Sequence, residues 1–145
     1  MAFKFNIGTK SGKTFKLETE AQSVVDKMIR SVIQGEEISP DLAGYEFEIA
    51  GASDGSGFTL MENVEGVGLK KVMLGYGKGM HKRVRREGKK KVSNFKPKGL
   101  RLRKTVRGKL ISNEVVQINL KILKEGNKKL EDVFPEQVKA PESAQ

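Results

Sequence analysis

Apolar and polar residues alternate at both ends of this chain. Phe3, Phe5 and Ile7 are separated by Lys4 and Asn6, and after the turn residues Gly8-Thr9-Lys10-Ser11-Gly12 the pattern resumes with Phe15 and Leu17 between Thr14, Lys16 and Glu18. A two-residue period places every second side chain on one face, so this stretch predicts a half-buried β-hairpin. Further on, Val115, Val116, Ile118, Leu120, Ile122 and Leu123 surround Gln117, Asn119 and Lys121, the strongest strand signal in the chain. Tyr45, Phe47 and Ile49 alternate with Glu46 and Glu48 and predict another strand, which runs into a glycine-rich loop at residues 51–57. Residues 58–61 and 69–74 are shorter strand candidates.

One stretch changes period. Val24, Val25, Met28, Ile29, Val32 and Ile33 recur on a single helical face, and Thr19 and Gln22 have the spacing of a capping box. A short amphipathic helix is expected there, ending by Gly35, with Ser39-Pro40-Asp41 breaking the chain beyond it. After Phe134 the sequence carries too little apolar surface to offset the entropy of ordering, so residues 135–145 are expected to form a disordered tail. About six short strands with tight turns and one short helix predict a mainly β fold: a small closed or nearly closed β-barrel, as a single domain over residues 1–134.

Charge changes the picture. Residues 70–110 hold seventeen Lys and Arg against one acid, Glu87, which leaves eleven basic and seventeen acidic residues in the rest of the chain. The overall charge of +10 is therefore about +16 on one segment and −6 elsewhere. A field this concentrated repels itself unless a polyanion neutralises it, and cations meeting phosphates release condensed counterions. An anionic membrane would need a continuous apolar face, but the large apolar residues here are scattered and Gly77, Gly79, Gly88, Pro97 and Gly99 interrupt any helix. The segment is best read as a basic excursion over residues 75–109 between two strands of the barrel; a solvated loop without a partner is the bland alternative.

The clusters Lys82-Arg83-x-Arg85-Arg86, Lys89-Lys90-Lys91, Lys96-x-Lys98, Arg101-x-Arg103-Lys104 and Arg107 are spaced by glycine, proline and single apolar residues. Separate clusters on a flexible chain suit irregular RNA, whereas sequence-specific DNA readers usually present a regular helix to the major groove. The candidate contacts are Lys78, Lys82, Arg83, Arg85, Arg86, Lys89, Lys90, Lys91, Lys96, Lys98, Arg101, Arg103, Lys104 and Arg107. Tyr76 and Phe95 could stack on splayed bases, but two aromatics are too few for a stacking platform.

Signals for catalysis are weak. His81 is the only histidine and stands among cations with neither a nucleophile nor an orienting carboxylate set beside it. Residues 51–57 and Gly75-Tyr76-Gly77-Lys78-Gly79 complete neither a P-loop nor a dinucleotide fingerprint. Glu46 and Glu48 share a strand face and read as a solvated acidic surface. No catalytic residue, metal or cofactor is expected. The chain has no cysteine, no run of about 20 apolar residues and no signal-peptide block, so a cytoplasmic, non-membrane protein that is monomeric when free is expected.

Two blocks together carry a resemblance. Gly44-Tyr45, Ile49, Gly51, Ser53-Asp54, Gly57-Phe58 and Met61, followed by Arg103-Lys104-Thr105-Val106-Arg107-Gly108 and then Val116-Gln117-Ile118-Asn119-Leu120, make residues 1–134 similar to small-subunit ribosomal protein six of the archaeal and eukaryotic type. The resemblance implies a small β-barrel on small-subunit rRNA beside neighbouring ribosomal proteins, without enzymatic activity, supporting subunit assembly and translation. It implies that Lys104, Arg107 and the cations before them face RNA. The chain resembles the short archaeal form, because the long basic C-terminal helix of eukaryotic members has no counterpart in residues 135–145. The competing reading is a free RNA-binding regulator or RNA chaperone built on the same barrel.

Overall fold

The computed structural model describes residues 2–81, 86–92 and 96–138. Strands β1 (Phe3–Gly8) and β2 (Thr14–Thr19) form the expected hairpin, whose turn is closed by the Thr9 N–H donating to the Lys13 carbonyl at 2.9 Å. Strand β3 is Val32–Gln34, β4 is Glu46–Asp54, β5 is Leu69–Leu74, β6 is Arg86–Glu87, β7 is Lys90–Lys91, β8 is Leu102–Arg107 and β9 is Val115–Lys124. The main sheet has five strands in the order β2-β1-β9-β4-β3, with β1 and β9 parallel and the other pairs antiparallel.

The core follows from the alternation. Phe3, Phe5 and Ile7 of β1, Phe15 of β2, Phe47 and Ile49 of β4, and Ile118, Leu120 and Ile122 of β9 all point to one side and are buried. Val24, Ile29, Ile33, Ile38, Leu42, Leu60, Ile111 and Leu130 cover that side. Burying each such side chain contributes about 1.5–3 kcal/mol, so this apolar layer is the main support of the fold.

Four expectations are corrected. The barrel is not closed: β2 and β3 remain the two edges of an open sheet, and β5 with β8 forms a separate two-stranded ribbon. Thr59 and Leu60 link the sheet to the ribbon through the single bridges Ser53–Thr59 and Leu60–Arg107. Among the described residues there are nine strands and two short helices, rather than about six strands and one helix. The helix expected over residues 19–35 is absent. That segment holds a three-residue 3-10 turn at Gln22–Val24, positive φ at Asp26 (66°) and Arg30 (70°), and then β3. Left-handed residues cannot continue a right-handed helix, and β-branched Val24, Val25, Ile29, Val32 and Ile33 have weak helix propensity. The apolar spacing instead lets Val24, Ile29 and Ile33 anchor an irregular chain in the core.

The fourth correction concerns the tail, whose first residues are ordered. Helices α1 (Leu130–Val133) and α2 (Pro135–Val138) lie against β2; residues 139–145 fall outside the described residues. Phe134 stacks on Phe15 with ring centroids 5.7 Å apart. The Gln137 Oε1 accepts from the Lys16 N–H at 2.7 Å, and its Nε2 donates to the Lys16 carbonyl at 2.6 Å. One amide side chain thus imitates a neighbouring strand and blunts an exposed edge. Gln137→Ala is expected to cost about 1–2 kcal/mol and to speed amide exchange at Lys16; unchanged exchange there would remove the edge-capping role.

Candidate nucleic-acid interface

The basic segment leaves β5 through a tight turn, Gly77–Met80, in which the Met80 N–H donates to the Gly77 carbonyl at 3.2 Å. Met80 is fully buried and, like the buried Val64 and Val106, stands outside the main core cluster. Sequence reading takes Met80 for one of several scattered apolar residues. It is the anchor of the segment, and the signal that could have found it is a long unbranched apolar side chain flanked by turn glycines.

Beyond the anchor, Arg86 and Glu87 pair with Lys91 and Lys90 across the turn residues Gly88 and Lys89, Gly88 taking φ 55°. This hairpin exposes Arg86, Lys89, Lys90 and Lys91. Lys96, Lys98, Arg101 and Arg103 are exposed or nearly so at the far end of the segment, and Lys104 is half-buried on β8. Lys82, Arg83, Arg85 and Phe95 lie outside the described residues. Lys78 folds back over the sheet, its ammonium 3.5 Å from where a side chain on Gly51 would begin. Burial pushes its pKa down, and Glu62 partly opposes that shift.

Arg107 departs from the set. Its side chain is only 7% exposed and bonds Asp54 Oδ2 through Nε and NH2, each at 3.1 Å, while NH1 donates to Glu114. The Val67 carbonyl accepts from the same NH1 at 3.3 Å. Asp54 in turn accepts from the N–H groups of Ser56 at 3.0 Å and Phe58 at 2.8 Å. A guanidinium so engaged has no free fork for a phosphate; it fastens the ribbon to the end of β4. Its neighbour Gly108 is equally committed, since a Cβ there would lie 1.9 Å from the Gly66 carbonyl oxygen.

The cations divide by partner. Lys4, Lys13, Lys27, Arg30, Arg107, Lys109, Lys124 and Lys128 form ion pairs, and all of these lie outside residues 70–104. The expected acidic face is compensated in the same way: Glu48 meets Arg30 at 3.2 Å and Glu46 meets Lys124 at 3.5 Å. Arg86, Lys89, Lys90, Lys91, Lys98, Arg101 and Arg103 form no ion pair among the described residues. These seven cations of the basic segment are therefore uncompensated by carboxylates among the described residues.

The chain belongs to the ribosomal protein S6e family. The match to that family runs over residues 3–135. The chain is 37% identical over 127 residues to the small ribosomal subunit protein eS6 of Methanococcus maripaludis strain C6, covering 87% of this chain and 90% of that protein. It is 37% identical over 128 residues to the protein of the same name from Nanoarchaeum equitans, covering 88% and 84%. To that of Archaeoglobus fulgidus it is 32% identical over 130 residues, covering 86% and 88%. Membership places the chain among structural ribosomal proteins rather than enzymes. His81 is exposed, and the described residues hold no group of three or more side chains of metal-ligand type.

Arg30 donates from Nε to Glu62 at 2.8 Å and holds that carboxyl below its ordinary value of 4.5. A depressed folded pKa contributes stability above the ordinary carboxylate range, and this is lost as pH falls through the folded value. Arg30→Gln is expected to return the Glu62 titration, followed by carboxyl NMR, to the ordinary range. A Glu62 midpoint that does not move would assign the shift to another group.

Proposed function

We propose that this S6e-family protein is a structural constituent of the small ribosomal subunit, in the cytoplasm, that holds rRNA through its basic segment and so supports subunit assembly and translation. The observation that carries the reading is that Arg86, Lys89, Lys90, Lys91, Lys98, Arg101 and Arg103 form no ion pair among the described residues, on a fold that pairs its cations elsewhere. The exposed contacts are Arg86, Lys89, Lys90, Lys91, Lys98 and Arg101, with Lys96 among them; Lys82, Arg83 and Arg85 belong to the same run of sequence. Lys78 and Lys104 serve at its base, and Arg103 stands at the border with the ribbon face. Arg107 is left out, because a buried cation with two carboxylates cannot also neutralise a phosphate.

The chemistry is positional. Phosphate contacts fix where a protein sits on folded RNA and carry little sequence information, which suits a segment with many cations and few stacking groups. Sedimentation tests the reading: the protein should remain with small subunits through a high-salt wash, since a resident protein is enclosed by RNA while a transient binder is released as counterions compete. Complete release into the wash would instead favour a free RNA-binding regulator.

A further inference from the structure

The ribbon carries a surface that phosphate binding does not explain. Leu69, Lys71 and Met73 alternate onto one face of β5, where Leu69 and Met73 are 48% and 57% exposed, and Val67, 36% exposed, lies in the bend before the strand. Leu69 and Met73 are two of the seven large apolar residues exposed among the described residues, and they share one strand face. In register across the ribbon, Thr105 stands opposite Lys71 and Arg103 opposite Met73. Among the described residues β5 pairs with β8 alone, so its far edge has no strand beside it.

These features select a kind of occupant. An edge of unpaired backbone groups is a template for an added strand, and alternate apolar side chains at a two-residue period are what such a strand would cover. Phosphates would use the cations and leave Leu69 and Met73 in water, so an RNA partner accounts for only half of the surface. Lys71 and Arg103 form no ion pair among the described residues and stand beside the apolar row. They would meet carboxylates on the incoming chain. The geometry points to β5 as the docking edge for an extended segment of another protein of the assembly, one with apolar side chains at alternate positions and at least one acid facing Lys71 and Arg103. This rests on the ribosomal reading given above, and it adds a protein-facing surface distinct from the RNA-facing one.

Photo-cross-linking separates the two surfaces. A benzophenone amino acid is placed at Met73 in one variant and at Lys98 in another, each full-length chain is incorporated into small subunits, and the products in purified subunits are mapped after irradiation. The Met73 site is expected to cross-link to an extended protein segment and the Lys98 site to rRNA. Cross-linking of position 73 to rRNA, or to nothing in subunits that contain the protein, overturns the docking edge. Failure of position 98 to reach rRNA, with position 73 on protein, overturns the RNA reading alone. As a second arm, Leu69→Glu with Met73→Glu should leave the melting temperature of the free chain unchanged, because both side chains are exposed, and should weaken retention in washed subunits about tenfold. Unchanged retention would also overturn the proposal.

Discussion

Asp54→Ala is expected to destabilise the fold by about 3–5 kcal/mol, the largest single effect outside the apolar core. The reason lies in what it leaves behind. Asp54 and Arg107 have side chains only 4% and 7% exposed. Removing the carboxylate strands a guanidinium between the ribbon and the sheet with only the solvent-exposed Glu114 as counter-charge. It also strips the acceptor from the N–H groups of Ser56 and Phe58, which shape the turn leading to Thr59 and Leu60. Those two residues supply the bridges by which the ribbon meets the sheet. Arg107→Leu should be nearly as costly, since it buries an unpaired carboxylate.

The double variant, Asp54→Ala with Arg107→Leu, should be more stable than the two single losses added together, because neither change then strands a charge. Urea denaturation of the four proteins gives the coupling directly. Strict additivity, or a loss under about 1 kcal/mol for Asp54→Ala, would mean that water reaches this pair.

The strands legible in the sequence are those whose two faces meet different surroundings. Phe3 to Ile7 and Val115 to Leu123 alternate because one side of the sheet is core and the other is water, and the structure places them as the alternation predicts. Periodicity tells which face is inside but not which edges meet, so an open five-stranded sheet and a closed barrel share one pattern. Strand β8 is hidden for another reason. Of its six residues only Leu102 and Val106 are apolar, and Arg103, Lys104 and Arg107 between and beside them read as an RNA-facing block. The fold buries Val106 and commits Arg107 to Asp54, a pairing across 53 residues that local sequence does not reveal. The irregular stretch before β3 misleads because apolar spacing of three and four residues also arises when a non-helical chain drops anchors into a core; the positive φ values at Asp26 and Arg30 leave no trace in composition.

The candidate interface is legible as charge and less so as geometry. Seventeen cations against one acid in residues 70–110 is a property of composition, visible without any fold. Which cations are free depends on where carboxylates end up in space, and that requires Asp54 and Glu114 to be placed beside Arg107. Lys78 folded back over Gly51 is likewise invisible until the ribbon is laid against β4.

Neutralising four exposed cations of the basic segment, Arg86, Lys90, Lys98 and Arg101 to Gln, is expected to flatten the salt dependence of rRNA binding by about 3 in the log–log slope, at about 0.7–0.9 for each phosphate that no longer meets a cation. Affinity should fall at every salt concentration and fall most at low salt, where counterion release contributes most. The four sites form no ion pair among the described residues and lie at the surface, so the melting temperature of the free protein should scarcely change. A matched control changes Lys4, Lys13, Lys124 and Lys128 to Gln. It removes the same charge from side chains already facing Glu18, Glu131, Glu46 and Asp41. Net charge drops equally in both variants, so a response to overall charge would flatten both slopes alike, whereas contacts made by the basic segment flatten only the first. Equal slopes in the two variants would move the RNA-facing surface away from residues 86–101 and leave the uncompensated charge there without a function.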